Sequence, residues 1–309
     1  MNQNFLQHLL WSSWSKETAY KGVGDSWNYN NRATGQCAIT SILVQEILGG
    51  YIKKADVENY KFSHYWNYID GEDVDFTISQ FSKNTPSYIN IKLVDKDRIL
   101  LNEETKKQYE ILRKKVYENM DIYKNIEKNI QQLCQCNENI HQLGSSIHFG
   151  KNCNLLFIGE VPAKDGWRTT GKAWINEKGN IIPSGKILQQ LLEYLNINLM
   201  DITFTEAVKC FPKDRKELLS MGKLWQKILY EQIDFLSPNI IITLGDFPTK
   251  ALLGNTYKKF TDVVGKEFFI EIKNQKYIII PTYHPSPISP QSLKGNIDIY
   301  KKINKLLNT

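Results

Sequence analysis

Short, continuous apolar runs alternate with longer amphipathic ones over the second half of the chain. NLLFIGE at 154–160 and NIIITLG at 239–245 read as buried strands, each running into a glycine. SGKILQQLLEYLNI at 184–197, GKLWQKILYEQIDFLSP at 222–238 and DFPTKALLG at 246–254 show the spacing of amphipathic helices, the second stopped at Pro238. DITFTEAVKC at 201–210 predicts another strand, and FFIEIKNQKYIIIPTYHPS at 268–286 a hairpin-like pair entering a proline-rich loop. Strands alternating with helices predict an α/β/α domain with a parallel sheet. Ligands of such sheets bind beyond the carboxyl ends of the strands. Three predicted strand ends carry distinctive residues: Gly159-Glu160, Glu206 to Cys210, and His284-Pro285-Ser286.

The segment from about 102 to 136 has neither Gly nor Pro. Tyr109, Leu112, Val116, Met120, Tyr123, Ile126 and Ile130 recur there at helical spacing, behind an Asn102 N-cap with Glu103 and Glu104 in the first turn. Residues before it are rich in Trp, Tyr, Gly and Ser with short strand-like runs. The expected organisation is a small α+β domain at 1–100, a helical connector at 101–136 and the α/β domain at 137–309.

Composition narrows the class. With 309 residues, 41% hydrophobic and 23% charged, the chain is neither disordered nor fibrous. No apolar run approaches the roughly 20 residues that span a bilayer. The opening MNQNFLQHLLWSSWSKE has no charged n-region followed by an apolar stretch, so a cytoplasmic, membrane-free protein is expected. Residues 1–100 hold 10 basic and 11 acidic side chains, whereas the remainder holds 29 and 22. The basic excess favours a polyanion such as DNA, although solvated lysines in a Lys/Asn/Ile-rich chain explain it equally. No obligate protein partner is evident. Five cysteines, at 37, 134, 136, 153 and 210, are an odd number and are read as core, metal-ligand or nucleophile positions.

Five pieces in order, FIGEVPAKDGWRTTGKAW at 157–174, PSGKILQQLL at 183–192, TEAVKCFP at 205–212, SPNIIITLG at 237–245 and TYHPSP at 282–287, resemble the uracil-DNA glycosylase superfamily over about residues 130–309. The GEVP opening resembles the branch called family 4, and the PAKDG and TGKAW run resembles family 5. The resemblance implies a glycosylase that flips a nonstandard base, hydrolyses its N-glycosidic bond and leaves an abasic site. His284 would donate to the anion developing on the base. Glu160 or Asp165 would orient or activate water. Trp174 would stack on the base, unless it is a core plug. Ser184 and Ser286 would contact the substrate, Ser286 at a phosphate. Glu206 stands where family 4 has a base-reading Asn; an ionised Glu accepts but cannot donate hydrogen bonds, which suits a base presenting an amino group. No Lys occupies a Schiff-base position, so a monofunctional enzyme is expected. The superfamily's 4Fe-4S cluster needs four thiolates. Cys134, Cys136 and Cys210 are candidate ligands, but the first pair is one residue closer than C-x-x-C and the fourth position falls near Trp225, so no cofactor is expected.

SWNYNNRATGQCAITSILVQEILGG at 26–50 and SHYWNYIDGEDVDFTISQF at 63–81 resemble the bacterial YunG-like family. Cys37 precedes an apolar helical run, which places its sulfur near a helix N-terminus. His64 and Asp75 follow, each on a predicted strand. Cys, His and acid in this order match papain-like amidases and peptidases, with Gln36 or its backbone near the oxyanion. A buried Cys and a satisfied His in a binding domain is the plainer alternative. For the whole chain, the alternatives to a glycosylase are an inactive nucleic-acid-binding module and a Cys-His hydrolase that uses the C-terminal domain for targeting.

Overall fold

A computed structural model describes residues 1–58, 62–81, 86–134, 145–163, 165–210 and 215–307. The chain forms two compact units, 1–122 and 123–309. No helix among the described residues is long and apolar enough to cross a membrane.

The first unit opens with α1 (Gln3–Ser13) and α2 (Cys37–Leu48). A four-stranded antiparallel sheet follows, made of β1 (Tyr51–Val57), β2 (Ser63–Ile69), β3 (Glu72–Val74) and β4 (Tyr88–Val94) in the order β3-β2-β1-β4. Ile42 of α2 and Ile52 of β1 are buried together with Ile99, and Ala38, Tyr65 and Val94 pack around them. Gly49, at a φ of 80°, ends α2 and turns the chain into β1. The short α3 (Lys96–Leu100) leads to α4 (Glu103–Cys134). The Asn102 side chain accepts from the Thr105 N–H at 2.9 Å, the cap that the sequence predicts.

Helix α4 is more than a connector. Up to residue 122 it belongs to the first unit: Leu112 and Val116 are fully buried, and Gln108 donates to the Ala19 carbonyl at 2.7 Å. From Tyr123 onward it belongs to the second: Ile126 and Ile130 are buried, and the Tyr123 ring stacks on Phe235 with centroids 5.4 Å apart. The unit boundary therefore lies inside the helix, not at 100 and 136. One amphipathic stripe gives no sign of which core each of its turns enters.

The second unit is built on a six-stranded sheet: β5 (Ile147–His148), β6 (Leu155–Gly159), β7 (Thr203–Glu206), β8 (Ile240–Leu244), β9 (Phe268–Ile272) and β10 (Gln275–Thr282), in the order β5-β7-β6-β8-β10-β9. The four central strands are parallel, and β5 and β9 close the edges antiparallel. β6 and β8 are buried at every position, which is why their sequences are unbroken apolar runs. Helices α5 (Trp167–Thr170), α6 (Pro183–Leu192), α7 (Leu218–Leu236), α8 (Asp246–Leu253) and α9 (Ile297–Leu307) complete the unit. β7 is shorter than predicted. After Glu206 the chain bends away, while the Ala207 and Val208 N–H groups still donate to the carbonyls of Gly159 and Glu160.

Candidate functional site

The carboxyl ends of β7, β6, β8 and β10 lie side by side and deliver Glu206, Gly159-Glu160, Gly245 and His284 to one edge of the sheet. Three strand spacings put the outer two of these ends roughly 14 Å apart, a span that side chains from both sides can bridge around a nucleobase.

Glu206 is paired with Gly159 in the ladder, and its carboxyl lies across that glycine. A Cβ at Gly159 would come within 2.2 Å of Glu206 Oε2 and 3.0 Å of the Phe204 ring. Glu206 is buried, and Oε2 has no hydrogen-bond partner. Burial pushes its carboxyl well above the ordinary range; the Glu160 charge adds to this and the Lys209 ammonium opposes it. Burial therefore favours the neutral acid, with one donor and one acceptor. That differs from the ionised, accept-only group on which the sequence argument for an amino-bearing base rests. The sign gives a prediction. An unfolded Glu releases its proton near pH 4.5, whereas burial makes folded Glu206 hold its proton to higher pH, so the group costs stability as pH rises above that value. Glu206→Gln is expected to raise Tm at pH 8 by about 3 °C or more and to change it little at pH 4.5. Equal Tm values at pH 8 in a differential scan would contradict the neutral assignment.

Lys209, 1% exposed, hydrogen-bonds through Nζ to Thr205 Oγ1 at 2.8 Å and to the Glu206 carbonyl. Sequence reasoning missed it, although a lysine inside the run EAVKC was a visible signal. Asn296 was also missed. Its fully buried amide accepts from the Tyr283 N–H at 2.9 Å and donates to the Tyr283 carbonyl at 2.8 Å. This clamps the backbone next to His284. Gly245 has a φ of 104°, a conformation that favours glycine, and a Cβ there would press on that of His284 at 3.3 Å. His284 itself is exposed, and the Ser286 N–H donates to its carbonyl at 2.7 Å, so the TYHPSP turn presents the imidazole to solvent.

Other expected residues sort differently. Trp174 is 7% exposed, at a φ of 67°, with its ring 4.7 Å from that of Phe204 and its Cβ against Gly185. It packs on Phe204, whose ring lies against Gly159 as the Glu206 carboxyl does, and it has little free face. Ser184 lies half-buried in the first turn of α6, and Ser286 is half-buried beside His284. Asp165 is exposed, and its charge acts on Arg168; Glu160 is the acid that acts on Glu206. Cys210 is buried and Cys134 ends α4, while Cys136 lies outside the described residues. Trp225, near which the resemblance puts the remaining cluster position, is fully buried and unable to ligate iron. Among the described residues no group of three or more metal-ligating side chains comes together.

In the first unit, Cys37 is the first residue of α2. His64 on β2 is 1% exposed, and its Nε2 lies 2.7 Å from Asp75 Oδ2. Asp75 follows β3 and is not on a strand; its Oδ1 accepts from the Thr77 N–H at 2.8 Å and the Thr77 hydroxyl at 2.9 Å, which fixes the carboxylate. Stacking on Trp66 and Tyr88 and an edge contact with Phe81 hold the imidazole plane. Burial alone would lower its pKa, but hydrogen bonds to Asp75 and Cys37 outweigh it and raise the ring to about 9. The Gln36 side chain donates to the Ser15 carbonyl and is committed there. Gln80, which no sequence signal marks, brings its amide nitrogen within 3.1 Å of His64 Nδ1.

The uracil DNA glycosylase superfamily model matches residues 147–308, more than half of the sequence. The chain belongs to the uracil-DNA glycosylase superfamily. Its glycosylase region is 29% identical over 166 residues to the type-4 uracil-DNA glycosylase of Sulfurisphaera tokodaii, covering 50% of this chain and 70% of the relative. It is 25% identical over 166 residues to that of Archaeoglobus fulgidus, covering 50% and 78%. Residues 2–121 match the YunG protein family model, and 76 residues are 33% identical to the uncharacterized protein YunG of Bacillus subtilis, covering 25% of this chain and 60% of that protein. The superfamily assignment and the motif-bearing strand ends coincide: Glu160, Glu206 and His284 each sit at the carboxyl end of a central parallel strand or just beyond it.

Proposed function

We propose that this chain is a monofunctional DNA glycosylase, which takes an extruded base at the carboxyl edge of the second unit's sheet. The observation that carries the reading is the convergence of Glu160, neutral Glu206 and exposed His284 on that edge, with the Trp174–Phe204 pair as a wall. Breaking the C1′–N bond leaves negative charge on the base and positive charge on the sugar. His284 donates to the base oxygen as that charge grows. Glu160 takes a proton from the attacking water and stabilises the sugar cation. The Lys209 amine is engaged by two acceptors and buried, which supports direct hydrolysis over a Schiff base. No step runs through a metal or cluster.

Neutral Glu206 refines the substrate. A carboxylic acid offers a donor and an acceptor side by side, so it pairs with the N–H and C=O edge of uracil-type bases as well as with an amino-bearing edge. The test is a panel of duplex and single-stranded DNAs holding uracil, hypoxanthine, xanthine or a bulky modified pyrimidine, scored for alkali-labile sites. Release of a uracil-type base is expected. Tight binding across the panel with no abasic sites would favour the binding-module reading.

A further inference from the structure

The Cys37, His64 and Asp75 cluster takes no part in base excision, and its geometry is that of an acyl-transfer site. His64 Nε2 is held by Asp75 at 2.7 Å, and the ring is also hydrogen-bonded to the Cys37 side chain. Nε2 is held by Asp75, and Nδ1, which also lies 3.1 Å from the Gln80 amide nitrogen, is the ring nitrogen on the side away from that carboxylate. Cys37 opens a 12-residue helix, where the backbone N–H groups lack intrahelical acceptors and favour negative charge. Cys37 is partly exposed and lines a cleft of about 1550 Å³, large enough for a substrate of drug or peptide size. A merely structural Cys–His contact needs no such opening. The Gln80 side chain lines the same cleft, but its amide is committed to His64 Nδ1 and to the Thr77 carbonyl at 3.2 Å, so the backbone N–H groups at the start of α2 are the donors available to an oxyanion. Val23, Phe62 and Phe81 give the cleft apolar wall, and Asp56 and Glu58 on the same lining disfavour an acidic side chain.

We propose that residues 1–122 form a thiol acyl hydrolase, with Cys37 as nucleophile, His64 as base, Asp75 as the positioning residue and an acyl group bearing an apolar side chain as substrate. His64 Nδ1 takes the thiol proton as Sγ attacks the carbonyl carbon, forming the C–S bond and moving the π electrons onto oxygen. The tetrahedral species collapses, the C–N or C–O bond breaks, and the leaving group takes the proton from His64. Water then attacks the thioester, giving its proton to His64. The C–S bond breaks, the free acid leaves and the Cys37 thiol is restored. No oxidant or metal enters.

The test uses the full chain and two probes. The first is iodoacetamide at pH 6, read by peptide mass spectrometry at each cysteine. Wild-type Cys37 should alkylate at least tenfold faster than in His64→Ala, because the imidazole is the group that takes the thiol proton as sulfur attacks. The second is the p-nitrophenyl ester of N-acetylphenylalanine. It should leave an acyl mass on Cys37 and turn over, at least tenfold faster than the N-acetylglutamate ester. Asp75→Asn, which keeps the shape of the site, should lower that turnover by tenfold or more with an unchanged melting curve, so a misfolded His64→Ala would not decide the matter. No acyl adduct on wild-type Cys37, or alkylation and turnover unchanged in both variants, would overturn the proposal.

Discussion

His284→Ala is expected to slow base release by roughly 10²–10³-fold, the usual cost of removing one donor from developing negative charge. The loss should fall on the chemical step, because the imidazole donates strongly only once charge has moved onto the base. It should therefore show in single-turnover abasic-site formation at saturating protein, with little change in binding to the same duplex. Folding is not at stake: His284 is exposed, and Asn296 clamps the neighbouring Tyr283 backbone. Melting should move by no more than about 1 °C, as for other surface changes away from special features. A single-turnover rate within threefold of wild type would remove His284 from the mechanism.

Glu160→Gln is the second large effect, expected at about 10²–10⁴-fold in the same assay, the range for losing a positioned general base. Glu160 has two possible contributions, because its charge also helps keep Glu206 protonated. The variants separate them. If Glu160 acts only through Glu206, the Glu160→Gln and Glu206→Gln double variant, with a permanently neutral amide at 206, should match Glu206→Gln alone. If Glu160 serves the water, the double variant stays as slow as Glu160→Gln. The second outcome is expected, with Glu206→Gln alone keeping most of the rate, since glutamine retains one donor and one acceptor. Fast base release by Glu160→Gln itself would defeat the assignment.

These expectations depend on different kinds of information. The positions of Glu160, Glu206 and His284 at strand ends were legible early, because a buried parallel strand is an apolar run and its end is marked by a glycine or a proline-rich turn. The thiol site was half legible. Cys37 before an apolar helix and His64 in an alternating segment stand out locally, but the pairing of Asp75 with His64 depends on the short β3 and on the turn in which Thr77 holds the carboxylate. Gln80 left no trace, since a glutamine in a polar turn is ordinary until the fold sets it beside an imidazole. Trp174 showed the limit of motif reading: the sequence places an aromatic there, but Phe204 and Gly185, which bury it, come from other elements.

The sequence by itself determined two modules of different texture, a parallel α/β region, the long helix between, and the residue types available at each strand end. These follow from hydrophobic periodicity and turn chemistry, which act over a few residues. Only the tertiary structure decided that α4 is shared between two units, that burial favours the protonated form of Glu206, that Lys209 is spent on Thr205 and Glu206, and that His64 is buried and clamped by Asp75. Each is a matter of desolvation or of a partner distant in sequence. The free energy of a buried proton or of a shared hydrogen bond is set by what surrounds it in space.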